Sequence, residues 1–303
     1  MRFKKLDLNL LVTLDALLTE RSISRAGEKL FLSQSATSNA LARLREYFDD
    51  ELLVQVGRRM ELTPRAESLC EPVRDVLVRL EATIAVQPDF DATATDREFR
   101  IFVSDFTMVT LVPHLLALAQ QQRATARLHF LQQFNQPARA LERGEADLLV
   151  IPRAYCSEEH PVDTLFEERF VCTVWNQGRH AQRPLTFDDY VAASHVAVQP
   201  AGNEQPAYEG WFMQRYGVAR RVDVTTYSFA ALPALVVGTD RVATVHERLL
   251  KHFGAGLPLV QHPLPMPMPP MEQGLQWHKY RSKDPGLTWL RALMHQAVQR
   301  MDA

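Results

Sequence analysis

Residues 22–45 run Ser22-Ile23-Ser24-Arg25-Ala26-Gly27-Glu28-Lys29-Leu30-Phe31-Leu32-Ser33-Gln34-Ser35-Ala36-Thr37-Ser38-Asn39-Ala40-Leu41-Ala42-Arg43-Leu44-Arg45. Ser22–Ser24 offer cap candidates, and Ile23, Ala26 and Leu30 share one face, which predicts a helix from about Ser24 to Leu30. Ser33 reads as the next N-cap, opening a helix to about Tyr47 with Ala36, Ala40, Leu41 and Leu44 inward. Two short helices, a tight turn and a helix with a polar leading face form a helix-turn-helix. Amide and hydroxyl groups in the first turns can pair with base edges and phosphates. Ser33, Gln34, Ser35, Thr37, Ser38 and Asn39 are therefore the candidate DNA-contacting set, with Arg43 further along the helix. The same pattern on a bundle helix would be only a solvated face, so the flanking sequence decides.

Upstream, Leu10, Leu11, Leu14, Leu17 and Leu18 make the apolar face of a helix over 7–21. Downstream, Leu52–Gln55 and Met60–Thr63 read as short strands around Val56-Gly57-Arg58-Arg59, a hairpin with arginines at its tip. A basic hairpin beside a recognition helix is a wing that grips backbone or minor groove, which adds Arg58 and Arg59 to the DNA set. Residues 1–63 hold ten Lys/Arg against nine Asp/Glu, so placement matters more than balance. From Pro64 to about Val86 one more helix carries Leu69, Val73, Val76, Leu77, Leu80 and Ile84, a stripe longer than a small domain covers. Such a stripe predicts pairing with a second copy. The polar, Pro-containing residues 87–96 read as a hinge.

The whole chain has 303 residues, 46% hydrophobic residues and a formal net charge of -2, which allows two packed domains and makes any DNA surface local. No stretch approaches a membrane helix, and Met1 to Lys5 is basic without an apolar signal core, so a cytoplasmic protein without membrane association is expected. Cys70, Cys156 and Cys172 form no C-x-x-C pair and read as reduced packing residues, with a Cys156–Cys172 redox switch as the sharper alternative.

The remainder alternates strand and helix. Strand candidates are Phe99–Val103, Leu128–Leu131, Asp147–Ile151, Val171–Trp175, His195–Val198, Val242–Val245 and Gly274–His278; helical candidates include Met108–Gln122, Pro137–Arg143, Glu209–Tyr216, Phe229–Val237 and Gly286–Met301. That order predicts a doubly wound α/β domain. Residues 258–270, with six prolines, read as an extended crossing. Ligands in such folds sit beyond strand C-termini. The candidate effector set is therefore Ser104, Asp105, Phe106 and Thr107 after one strand, Ile151 at the end of another, Gln199, Pro200, Gly202 and Asn203 after a third, and Tyr227, Ser228 and His246. No histidine shows metal-ligand spacing, and there is no G-x-G-x-x-G, P-loop or G-x-S-x-G, so neither metal nor cofactor is expected.

The run from Leu8-Asn9-Leu10-Leu11 through Arg45, with Leu52-Leu53 and Leu62-Thr63-Pro64, resembles the DNA-binding domain of LysR-type transcriptional regulators. The opening Arg2-Phe3-Lys4-Lys5-Leu6-Asp7 and the closing Trp277-His278, Asp284-Pro285-Gly286 and Trp289-Leu290-Arg291 look like the branch of nodulation and aromatic-catabolism regulators. Ser35 departs from the usual proline, Gln55 stands where an arginine is common, and Phe31 is bulkier than usual. The resemblance implies an α+β chain: a winged helix-turn-helix over 1–63, a linker helix and hinge over 64–96, and a two-lobed, periplasmic-binding-protein-like effector domain over 97–303. Lobe one would be 97–165 plus 268–303 and lobe two 166–265. It further implies a homodimer or homotetramer, a double-stranded DNA operator, a small-molecule inducer between the lobes (aromatic, by the branch) and contact with RNA polymerase.

Two other readings compete. A solute-binding protein has no use for residues 1–63. An α/β enzyme built on Asp105, His246 and Ser228 lacks a nucleophile elbow, so no enzymatic activity is expected.

Overall fold

The computed structural model describes residues 6–57, 59–84, 89–132, 137–199, 207–253 and 256–302. It divides into two compact units, residues 1–86 with 142–144, and 87–141 with 145–303.

In the first unit α1 (Leu8–Glu20), α2 (Ile23–Leu30) and α3 (Gln34–Phe48) are followed by β1 (Leu53–Val56), β2 (Arg59–Leu62) and α4 (Pro64–Ile84). Asp7, Ser22 and Ser33 cap the first three helices, accepting from the N–H groups of Leu10, Arg25 and Ala36. Leu14, Leu17, Leu41, Leu44, Leu52 and Leu53 form the core. The α2–α3 turn needs a left-handed residue, and Phe31 supplies it at φ 55 with its ring 97% exposed. Gly27 lies so close to Thr37 that an added Cβ would meet its Oγ1 at 2.9 Å. Asp50 ties the wing to α4: its Oδ1 accepts from Leu52 N (2.7 Å) and Thr63 Oγ1 (2.5 Å), and these bonds, Thr63 first, hold its carboxyl below the usual range.

The expected stripe on α4 is corrected. Val73 and Leu77 are buried in this unit's own core with Leu69 beside them, so they are not free to meet a second chain. Val76 and Ile84 stay 48% and 70% exposed, and with half-buried Leu80 they recur every fourth residue on one line.

The second unit holds two five-stranded sheets. In chain order come β3 (Glu98–Val103), α5 (Asp105–Thr110), α6 (Val112–Gln121), β4 (Arg127–Gln132), α7 (Pro137–Glu142), β5 (Leu148–Pro152), β6 (Val162–Glu168) and β7 (Phe170–Trp175). Then follow α8 (Phe187–Ala192), β8 (Ser194–Val198), α9 (Tyr208–Arg215), β9 (Arg221–Thr226), α10 (Leu232–Leu235), β10 (Val242–His246), α11 (Glu247–Phe253), β11 (Leu259–His262), β12 (Met271–Trp277) and α12 (Pro285–Met301). Strand order is β4-β3-β5-β12-β6 in one sheet and β11-β7-β10-β8-β9 in the other. The chain passes between them at Arg169 and again through residues 263–270, which hold five prolines. Two boundaries therefore shift. Residues 166–168 belong to the first sheet, and Leu259–His262 is an antiparallel edge strand on β7, where the lack of a proline N–H at either end does no harm.

Sequence reasoning missed β6, β9 and β11, all outermost strands. Edge strands carry mixed burial, and β9 alternates without a clear apolar face. The expected helix Met108–Gln122 is two pieces, because Pro113 starts α6 instead of continuing α5. The Asp284-Pro285-Gly286 signature has a packing reason. Asp284 caps α12 and takes both terminal nitrogens of Arg97 (2.7 and 2.6 Å), while a Cβ on Gly286 would strike Arg97 and Phe99.

Candidate functional site

Two surfaces carry the polar residues singled out from the sequence. On α3, Thr37, Leu41 and Leu44 are buried, while Gln34, Ser35, Asn39 and Arg43 are exposed and Ser38 is half-buried. Ser33 is exposed but engaged: its Oγ accepts from Ala36 N at 3.2 Å and lies 3.0 Å from Ser35 Oγ. Thr37 is a correction, since its hydroxyl donates to Ser33 O at 3.1 Å and packs against Gly27, a helix-to-helix spacer and not a DNA contact. Arg43 pairs with Asp7 at 3.3 Å in an exposed position that a phosphate can replace. Arg45 donates to Glu51 O (2.8 Å) and Leu53 O (2.9 Å), locking the wing to α3. In the wing β1 and β2 pair from Leu53↔Leu62 to Val56↔Arg59. Gly57, at φ +63, begins the two-residue turn, and Gln55 Nε2 donates to Gly57 O at 3.1 Å. Arg59 is exposed, while Arg58 lies outside the described residues.

In the second unit a cavity of ≈ 440 Å³ opens between the sheets. Ser104, Asp105, Phe106, Tyr227, Ser228 and His246 line it, as expected from the strand ends and helix starts. Ile151 and Thr107 do not. Ile151 points into the core with Phe102 and Leu149, and Thr107 is fully buried with its hydroxyl 3.2 Å from Ser104 Oγ. Gln199 is exposed beyond the cavity, its N–H donating to Thr226 O at 2.8 Å. Pro200, Gly202 and Asn203 lie outside the described residues.

Much of the wall comes from residues the sequence did not single out, including Phe130, Tyr155, Phe170, Tyr208, Phe229 and Gln273. The first five look like ordinary core aromatics. Gln273 had no clear signal, since β12 also carries Glu272 and Gln276. Gln273 is 2% exposed, and its Oε1 has no hydrogen-bond partner. His246 stacks on Phe106 (4.0 Å between centroids, 10° between planes), with Phe170 and Phe229 also against it. Burial drops its pKa to about 3, so it is neutral, and its Nδ1 is also unpartnered. Burial pushes the Tyr155 phenol up to about 12. Glu209 is ion-paired with buried Arg220, which also donates to Tyr190 Oη at 3.0 Å.

Asp105 spans the two lobes. Its Oδ1 accepts from Phe106 N at 3.0 Å, and its Oδ2 from Ser228 Oγ (2.6 Å) and Ala230 N (3.0 Å). An acid–base–nucleophile relay is not assembled, because the carboxylate bonds the serine directly and His246 Nδ1 bonds neither. Cys156 packs against Gly274 of the first sheet, and Cys172 is fully buried on β7 of the second. Burial raises their thiols to about 11 and about 12, which suits packing and not thiol exchange. Among the described residues no His/Cys/Asp/Glu group is placed to hold a metal, and no helix is long and apolar enough to cross a membrane.

Comparison with known proteins gives the following likenesses. Residues 8–67 match the bacterial regulatory helix-turn-helix protein model of the lysR family, and residues 92–299 match the LysR substrate binding domain. Nodulation protein D 2 of Bradyrhizobium diazoefficiens is 40% identical over 301 residues, spanning 99% of this chain and 91% of its own length. Full-length OxyR from Pseudomonas aeruginosa superposes with a TM-score of 0.71 at 16% identity, covering 97% of this chain and 95% of its own. CbnR complexed with its target DNA superposes with a TM-score of 0.58 at 15% identity, covering 98% and 100%.

Proposed function

The chain belongs to the LysR family of transcriptional regulators, with a DNA-binding helix-turn-helix and an effector-binding domain, and on that premise we propose how each surface works. Gln34, Ser35, Ser38 and Asn39 read base edges in the major groove, and Ser33, Arg43, Arg58 and Arg59 hold the phosphate backbone. The observation that carries this is the division of α3, where Thr37, Leu41 and Leu44 are buried while Gln34 and Asn39 stay exposed; Ala36, expected inward, is exposed with them.

Two copies pair through the line Val76–Leu80–Ile84 of α4, and pairs associate into a tetramer. Val76→Asp with Ile84→Asp should weaken self-association and operator binding together, and an unchanged sedimentation coefficient would remove the seam.

A small molecule bound between the lobes against Ser104, Tyr227, Phe229 and His246 shifts the balance of two tetramer shapes by its differential affinity, on the order of 1–3 kcal/mol. The protein acts in the cytoplasm at its operator, passes the change to RNA polymerase and catalyses no reaction. Support comes from the apolar cavity, which joins groups from both sheets. Asn39→Ala should cost about 1–3 kcal/mol in operator affinity and relax preference at one base pair. Footprinting that showed unchanged affinity and preference would remove Asn39 from the reading set.

A further inference from the structure

We propose that Asp105 is a built-in anion that sets the charge class of the effector: the cavity takes a ligand without negative charge that donates a hydrogen bond to Gln273 Oε1. This rests on the reading of the cavity as the effector site.

Three donors from the two lobes, Phe106 N, Ser228 Oγ and Ala230 N, converge on one carboxylate at 2.6–3.0 Å. Backbone N–H groups and a hydroxyl in that arrangement form a receptor for a carboxylate or phosphate. Here the protein fills it with its own side chain, so these donors have nothing left for an anionic ligand.

The rest of the wall agrees. Among the described residues no lysine or arginine lines the cavity. Its other carboxylate, Glu209, has its charge countered by Arg220. The cavity's histidine is held neutral by burial. An anion entering would lose its water, gain no free cation and stand near the Asp105 carboxylate, which raises the cost of burying its charge.

What the wall does leave open is an acceptor. Gln273 Oε1 is a buried carbonyl oxygen with no partner, and leaving such a group unpaired costs stability until a donor arrives. A ligand hydroxyl or N–H meets that need while its body packs on Phe106, Phe130 and Phe229. A site built around a hydrogen bond rejects analogues lacking the group far more strongly than an apolar pocket rejects a missing methylene.

The test uses the full chain and a matched pair of probes, benzoate and benzamide, followed by thermal shift and by calorimetric titration. Benzoate at tens of millimolar should leave the wild-type melting temperature unchanged. It should raise that of Asp105→Gly saturably by several degrees, because its carboxylate takes the vacated donors. Should Asp105→Gly fail to fold, Asp105→Asn keeps the side chain's size without its charge and should bind benzoate at least tenfold more tightly than wild type does. Benzamide should bind wild type more tightly than benzoate, and Gln273→Leu should weaken benzamide binding severalfold while leaving benzoate excluded. Two results overturn the assignment: saturable benzoate binding to wild type, or no gain in either Asp105 variant. Met271→Trp, which fills the cavity, separates the two claims. Wild-type benzoate binding that is lost in Met271→Trp leaves the cavity as the effector site and removes only the charge assignment. Probe binding that survives Met271→Trp removes both.

Discussion

Two of the serine-led helices of this molecule, α3 and α5, start alike and end differently. Ser33 and Ser104 each cap a helix through a 3.2 Å bond to a backbone N–H, and each is followed by a fully buried threonine, Thr37 or Thr107. After Ser33 the next side chains, Gln34 and Ser35, are exposed and available to a partner. After Ser104, Asp105 is consumed by donors from both lobes and Phe106 is 1% exposed under His246. A local motif determines the cap and the direction of the helix. What lies beyond its first turn, solvent or a second lobe, determines whether the following residues recognise something or hold the fold.

That contrast can be broken by mutation, and the largest effect belongs to the buried side. Phe106→Ala should cost roughly 3–5 kcal/mol in chemical denaturation, as large-to-small core changes do, and Gln34→Ala should move stability by less than about 0.5 kcal/mol. Equal losses would mean that the leading turn of α3 serves packing as much as that of α5 does.

Acid should separate the halves next. His246 is depressed to about 3 in the fold, and His195 and His278 to about 4, each chiefly by burial, and all three lie in the second unit. The unfolded chain binds these protons first, so their contribution is fully present above about pH 6.5 and is lost as pH falls toward 4 and then 3. The slope reaches at most about 1.4 kcal/mol per pH unit for each group. His246→Phe, which keeps the stack on Phe106, should flatten the decline; an unchanged pH profile of unfolding would show that His246 titrates normally.

The caps should respond equally. Ser33→Ala and Ser104→Ala are each expected to cost about 1 kcal/mol. A loss at Ser104 several times that at Ser33 would show the serine acting beyond its own helix, through Thr107.

The smallest effect sharpens the DNA side. Phe31→Gly should stabilise the first unit by up to about 1 kcal/mol, because φ 55 costs a non-glycine residue and an exposed ring returns little. Operator affinity measured on the same variant decides whether the ring also touches DNA. An unchanged affinity makes Phe31 a tolerated cost of the turn.

Much of the first unit was legible from residues alone, because its signals are local. Serine caps, 3.6-residue periodicity and a glycine at the hairpin tip act within a few residues of one another. The assignment of Thr37 to DNA failed for a reason no local pattern carries, the close approach of Gly27 from the preceding helix. The split of the α4 stripe into a buried set (Val73, Leu77) and an uncovered set (Val76, Ile84) failed likewise, since α1 packs on one side only.

By itself the sequence determined where helices begin, which side chains lead the recognition helix, that strand and helix alternate after residue 97, that Ser104–Phe106 follow a strand and that Tyr227–Ser228 precede a helix. Tertiary structure alone decided what those residues do. Two chain passages, at Arg169 and at 263–270, bring the sheets together so that donors 123 and 125 positions from Asp105 reach its carboxylate. The same strand, β12, buries Gln273 with its Oε1 left without a hydrogen-bond partner. Periodicity records which face of an element is apolar. It does not record which distant face meets it, and the charge a cavity accepts is set by that meeting.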